Sequence, residues 1–395
     1  MGNKQGRHML KWRNNEKRCN QRESIPSQQP VQADIYLDKT GTPDPADDPG
    51  VQGVDISSSS GDDHQNDTRD KDVVTAPPDY FYVFDCKAID HGDHEVEESD
   101  EAGSDLHSRK AACSKNPGHT HFIPVASFTI DHLPEDYRQD AIFQLIQLQA
   151  RLTVKISTRC VSPDRPEFYP DSDAPYPFYN RCGDKFTRNG TGMIWEVQKY
   201  TPEANIPCPC AQCLNSPDPI TSYGYVRIQT AAHVVFDEIE ARESACFFGY
   251  DSEDGNPVVI DCLSHFDLDI ANDESFLSCY VHDEDLVNAL VDAMTGYEQL
   301  CGIVSEVYWP YRLHARLTVI ASHPHGCSKQ ISLGEWTRMN RMYGSDNVTT
   351  YNYTTCTCPG SSGAYVYLLG KPRRGFHHAH KGTNSYGNCS GIGID

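Results

Sequence analysis

The sequence predicts a mainly β protein of two packed antiparallel six-stranded β-barrels, preceded by a helix and a disordered acidic N-terminal region. Three observations carry this. Strand-length apolar runs, separated by turn residues, recur from residue 190 to the end. They fall into two groups parted by one helix-like stretch at 284–305, as two barrels joined by a connection require. The residues before about 122 are acidic and too poor in apolar side chains to offset the entropy of ordering. The expected divisions are 1–121, basic then acidic and disordered; 122–180, a helix and strand leading in; 181–283, the first barrel with a cysteine-rich insertion; 284–314, the helical connection; and 315–395, the second barrel.

In chain order, residues 1–22 are basic and begin Met-Gly-Asn-Lys-Gln-Gly, close to an acylation start but with Gly6 where Ser or Thr is expected. A solvated tail is the reading, with at most weak contact with a membrane surface. Within the acidic region, residues 79–85 (Asp-Tyr-Phe-Tyr-Val-Phe-Asp) are an apolar island, either a short strand or a docking motif. Pro134 opens a helix whose apolar face is Ile142, Leu145, Ile146 and Leu148, ending near Ala150. Leu152, Val154 and Ile156 then alternate with polar residues as a strand does, and 163–177 is a proline-rich connection. Strands are expected at 190–197, 224–232, 245–250, 258–262, 266–270 and 276–281, and after the helix at 315–322, 328–336, 348–356, 365–369 and 376–381.

The net charge of −22 excludes nucleic acid as the main partner, since phosphates would be repelled. No run approaches the roughly 20 apolar residues of a membrane helix. No signal peptide is visible, so the sixteen cysteines are expected to be mostly reduced thiols in a cytoplasmic protein, with secretion by another route left open.

Two stretches carry chemistry. Residues 360–363, Gly-Ser-Ser-Gly between two strands, suit a turn whose N–H groups converge on one oxyanion while a serine attacks. Residues 230–234, Thr-Ala-Ala-His-Val, close a strand and follow Gly190-Thr-Gly-Met-Ile194. Together they resemble the trypsin/chymotrypsin-like serine protease superfamily, in an intracellular, high-temperature-requirement or viral-like variant rather than the digestive type. The likeness spans about residues 190–393 and includes Gln330-Ile-Ser-Leu-Gly334 at the opening of the second barrel. It implies a polypeptide substrate, no cofactor for catalysis, Ser362 as nucleophile, His233 as general base and the N–H groups of Gly360 and Ser362 as oxyanion hole. The orienting carboxylate is assigned to Asp273, in the register strand–Asp–three residues–Asp–strand, with Asp269 the alternative. It also implies a specificity pocket around Cys356, His380 and Gly382, where His380 would hydrogen-bond a Glu or Gln side chain. Two departures stand out: Ser361 replaces the usual aspartate before the nucleophile, and no activation terminus is visible. A catalytically silent interaction module on the same fold is the alternative reading.

Cys208, Cys210 and Cys213 are close enough for structural zinc. A tetrahedral site needs a fourth ligand; Cys246 and Cys262 are candidates, and the sequence selects neither.

Overall fold

A computed structural model describes residues 90–100, 103–342, 347–371 and 377–395, together with the backbone of the strand Phe81–Phe84. The basic tail and most of the segment expected to be disordered lie outside the described residues. So does Phe376 at the start of the expected last strand.

The architecture is mainly β, as expected, with two antiparallel sheets. The first runs Ser264–Asp269, Glu274–Val281, Tyr223–Thr230, Thr187–Tyr200, Thr153–Thr158, Ser244–Phe248, Val258–Asp261. The second runs Val366–Leu368, Leu317–Ser322, Gln330–Met342, Val348–Tyr353, Gly387–Ser390, His380–Asn384, Asp93–His94. The sheets carry 8 and 10 strands rather than six. The extra strands include short pieces of the acidic region laid on sheet edges: Glu97–Ser99 on Thr187–Tyr200, Asp93–His94 on His380–Asn384, and Phe81–Phe84 in parallel on Gln330–Met342. The apolar island thus forms a strand.

For residues 90–100 and 103–121 this corrects the expectation of disorder. Among those described, 93–94 and 97–99 are strands and Leu106–Ala111 is a helix. Apolar content is a poor guide here, because an edge strand is held by its backbone and its acids are buried against Lys115, Arg109, His325 and His380. Glu95 and Glu97 are only 6% and 5% exposed.

Two helices pack together behind the sheets. In Asp140–Leu152, Ile142, Leu145 and Ile146 enter the main core with Val154, Ile228, Leu277 and Val319. The connection Glu284–Tyr308 is one long helix. Asp283 caps it by accepting the Leu286 N–H (2.9 Å). Val287, Leu290, Met294, Tyr297, Cys301 and Val304 recur at three- and four-residue spacing and are buried. No helix among the described residues is long and apolar enough to cross a membrane.

Candidate active site

The sheet register brings the first pair together. Tyr223–Thr230 runs antiparallel to Glu274–Val281, with Thr230 opposite Ser275. The chain leaving the one strand and entering the other therefore lie side by side, and Ala232 N–H donates to the Asp273 carbonyl (3.2 Å). Asp273 adopts left-handed backbone (φ +59°), a strained conformation of the kind held at functional sites. Its carboxylate accepts from His233 Nδ1 (2.7 and 2.9 Å) and from the His233 backbone N–H (3.0 Å). Asp269, the alternative, instead accepts from Asn272 N–H (2.9 Å) and Nδ2 (2.6 Å). Burial pulls the His233 pKa below 6.5 even though Asp273 opposes the shift. Burial raises that of Asp273, but the imidazole beside it prevails and holds the carboxyl low. His233 is thus neutral, with its Nδ1–H on an ionised Asp273.

Behind His233 sits a buried ion cluster. Glu240 accepts from Arg165 (2.7 Å at both oxygens) and Arg188 (2.9 Å), and Arg165 also donates to the His233 carbonyl (3.1 Å). All three side chains are inaccessible to solvent. Removing one partner strands buried charge, so Glu240→Ala is expected to lower unfolding stability by about 3–5 kcal/mol in a denaturant titration.

The serine loop is fixed from both sheets. Gly360 has φ +96°, and a Cβ there would lie 2.5 Å from the His323 carbonyl oxygen, so only glycine fits. Thr191 of the first sheet donates through Oγ1 to the Gly360 carbonyl (2.8 Å), and its N–H donates to the Ser362 carbonyl (2.8 Å). Ser361, where an aspartate was expected, points inward, 3.1 Å from Ser322 Oγ, and accepts the Cys358 N–H (3.3 Å). These contacts hold the loop without a carboxylate. The Ser362 hydroxyl donates to the Lys381 carbonyl (3.2 Å) and accepts the Glu95 N–H (3.1 Å). His233 Nε2 is buried without a hydrogen-bond partner, so the serine–histidine bond is not made in this arrangement.

The N–H groups of Gly360 and Ser362 do converge on one oxygen, the carbonyl of Glu95 (2.7 and 3.4 Å). No motif or spacing points to this residue's part. Asp93–His94 lies antiparallel on His380–Asn384, with His94 opposite Gly382. A Cβ on Gly382 would lie 1.9 Å from the Asp93 carbonyl oxygen, so glycine permits the approach. The His94 ring packs edge-on against His233 (centroids 4.3 Å apart) and meets the Tyr169 hydroxyl (2.6 Å).

The Glu95 side chain enters the pocket expected around His380. Its Oε2 is 2.9 Å from His380 Nε2, and its Oε1 accepts from Thr383 Oγ1 (2.9 Å) and from Lys115. Lys115 is also held by Thr357, Thr383 and Asn388 (3.1, 2.9 and 2.8 Å). Burial keeps the Tyr353 phenol protonated, so its O–H donates to His380 Nδ1 (2.7 Å). This bond assigns the tautomer that points N–H at Glu95. Burial would raise the Glu95 pKa, but His380 and the Lys115 charge outweigh it and hold the carboxyl far below its usual range. Burial also holds His380 neutral against the pull of Glu95. Cys356 lies beside this wall, its carbonyl accepting from Ser332 Oγ (2.7 Å).

Cys208, Cys210 and Cys213 lie together, and the fourth residue beside them is His282, not either of the two cysteine candidates. Cys208, Cys210 and Cys213 surround His282 Nε2 at 3.2, 3.7 and 3.7 Å. Cys246 pairs with Ile156 inside the first sheet, and Cys262 is exposed. Neither joins the group of four potential donor atoms, which all lie within 4.8 Å of one another. Tetrahedral zinc with thiolate and imidazole bonds of about 2.3 and 2.0 Å separates its donors by roughly 3.5–3.8 Å, which these distances approach. His282 follows the strand Glu274–Val281, almost seventy residues beyond the cysteines, so spacing alone could not find it.

No family model and no curated protein matches the chain. Among solved structures it is similar to Deg5, at 11% identity over 65% of this chain and 90% of that chain, TM-score 0.34. It is also similar to the active form of the Rv3671c protease from M. tuberculosis (14%, 63% and 78%, TM-score 0.31). A third is the HtrA-type protease AlgW with a decapeptide (13%, 64% and 62%, TM-score 0.33). The chain is thus similar to trypsin-like serine proteases of the Deg and HtrA type, at a likeness too low to carry any argument about its activity.

Proposed function

We propose that the protein is a serine endopeptidase that cleaves peptide bonds after glutamate through an acyl-enzyme. The observation that carries this is the Glu95 carbonyl, held by the Gly360 and Ser362 N–H groups beside a histidine oriented by a carboxylate. Those N–H groups stabilise the charge that grows on a carbonyl oxygen under attack. His233 takes the Ser362 proton at Nε2 and returns it to the leaving amine, while Asp273 fixes the tautomer and steadies the imidazolium. For this, Ser362 Oγ has to leave the Lys381 carbonyl for the partnerless Nε2, a change of side-chain rotamer. The neutral His380 donor, Thr383 and the Lys115 ammonium select a carboxylate for the pocket.

The test is hydrolysis of peptides differing only at the residue before the scissile bond. Cleavage after Glu, lost in Ser362→Ala, is expected; turnover unchanged in that variant would sink the proposal and favour a silent module. The pH profile gives a second check. His233 must be neutral to act, and its pKa lies below 6.5, so activity is expected above that pKa and lost as pH falls through it. The acid limb of kcat/KM should therefore lie below pH 6.5, and a limb centred well above it would contradict the burial of His233.

We also propose structural zinc at Cys208, Cys210, Cys213 and His282, with no step in the chemistry. His282→Ala is expected to lose one equivalent of zinc by elemental analysis and to melt earlier. Unchanged metal content would reject the site.

A further inference from the structure

We propose that the chain is its own substrate, and that the bond cut is Glu95–Val96. This rests on the endopeptidase reading above, but its carrying feature is the path of residues 93–99. The segment crosses the site extended, bridging the two sheets: Asp93–His94 is a strand of the second and Glu97–Ser99 of the first. Glu95 lies between them at the turning point. Its carbonyl oxygen faces the two N–H groups, its amide N–H faces Ser362 Oγ, and its carboxylate fills the pocket. On either side the fit continues. His94 packs against His233, and the Glu97 carboxylate meets His325 Nδ1 (2.6 Å). A bystander covering the site would need none of these matches at once.

The step balances without any group beyond water. Ser362 Oγ forms a bond to the Glu95 carbonyl carbon and its proton passes to His233 Nε2. The carbon–nitrogen bond to Val96 breaks, the electron pair leaving on nitrogen, which takes the proton from His233. Water then adds to the Glu95 ester, giving its proton to His233. The ester carbon–oxygen bond breaks and Ser362 Oγ recovers the proton, leaving a new carboxyl group on Glu95 that ionises by giving its proton to water. The new end at Glu95 remains paired to the second sheet through Asp93–His94, and Val96 onward to the first through Glu97–Ser99, so the cut separates the chain covalently without needing either piece to leave.

The experiment is cell-free translation of the full chain, followed by intact mass and N-terminal sequencing over time at two dilutions. The expected result is a fragment beginning at Val96, formed at a rate unchanged by tenfold dilution. It should be absent in Ser362→Ala, Glu95→Lys and Val96→Pro, each checked for a cooperative thermal transition. Val96 ends appearing in Ser362→Ala would overturn the proposal, as would a wild type that hydrolyses glutamyl peptides yet keeps Glu95–Val96 intact. In the latter case the endopeptidase reading stands. A wild type that does neither overturns both.

A different observation carries a second inference. Potential donor atoms of Cys113, His119, His325 and Cys358 lie within 4.8 Å of one another. Cys113 Sγ is 3.6 Å from Cys358 Sγ, and His119 Nε2 is 3.5 Å from Cys358 Sγ. His325 is 3% exposed; its Nδ1 is engaged by Glu97 and its Nε2 is buried without a partner. A carboxylate behind an imidazole whose other nitrogen is bare is the arrangement around a zinc-bound histidine. We infer a second zinc there, tying residues 113–119, and with them Lys115 of the pocket, to the loop that carries Ser362. Elemental analysis of the purified full chain is expected to give two zinc per chain, one in Cys113→Ser, one in His119→Ala and one in His282→Ala. Zinc content unaltered by both Cys113→Ser and His119→Ala would overturn it.

Discussion

Asp273→Asn is expected to leave the protein folded and to lower kcat for glutamyl peptides by about 10⁴-fold. The amide keeps the size and can still accept from the His233 backbone N–H, which Asp273 holds at 3.0 Å. It forfeits the negative charge on which His233 depends. Asp273 now holds the hydrogen on Nδ1, leaving Nε2 bare to act as base. An asparagine that presents its N–H₂ to Nδ1 stabilises the opposite tautomer, with the hydrogen on Nε2 and no lone pair for the serine proton. It also removes the anion that steadies the imidazolium. Asp269→Asn provides the contrast, because Asp269 only ties down Asn272 and should cost little. Stopped-flow or steady-state hydrolysis of the two variants side by side distinguishes the roles. Equal losses would mean that Asp273 is not the orienter.

His380→Ala is expected to lower kcat/KM for glutamyl peptides by roughly 10- to 150-fold, the value of a lost hydrogen bond of about 1.5–3 kcal/mol to a charged group. The loss should fall on Glu and hardly on a peptide with an apolar residue in its place. Lys115→Ala should act differently, because Lys115 supplies charge rather than a neutral donor. It should narrow the preference for Glu over Gln while leaving Gln peptides less affected. Tyr353→Phe tests the chain behind His380. Without the phenol on Nδ1 the imidazole is free to turn its hydrogen away, so the Glu preference should fall although Tyr353 touches no substrate. Equal losses on all peptides in these variants would place the defect in folding instead of the pocket.

How much of this was legible in the sequence differs by the kind of signal. Thr-Ala-Ala-His and Gly-Ser-Ser-Gly could be read as contiguous motifs, and in the second close backbone approach restricts Gly360 and Gly363 to glycine. The Gly360 contact with the His323 carbonyl is one such restriction. His380 in the pocket came from its place on the strand after the serine. The segment 90–99 was not legible. Its strands are two and three residues long, below any periodicity, and its acids resemble solvated charge until Lys115, His325 and His380 are seen around them. Lys115 comes from a loop whose path depends on contacts with Thr357 and Asn388 from distant parts of the chain. His282 closes the cysteine cluster through the register of the first sheet. In each missed case the partner is set by tertiary placement, which neither spacing nor composition encodes. Nor does charge reveal the Arg165–Glu240–Arg188 cluster, three ordinary surface-type residues that the fold buries behind His233.

On this mechanism Ser362, on a loop whose N–H groups hold a carbonyl oxygen, becomes nucleophilic through His233. Its most direct test is the reaction of the purified protein with a fluorophosphonate, followed by peptide mass mapping. One phosphonyl adduct is expected, on Ser362, absent in Ser362→Ala and strongly reduced in His233→Ala. No adduct on the folded wild-type protein, or an adduct on another serine that survives Ser362→Ala, would contradict it.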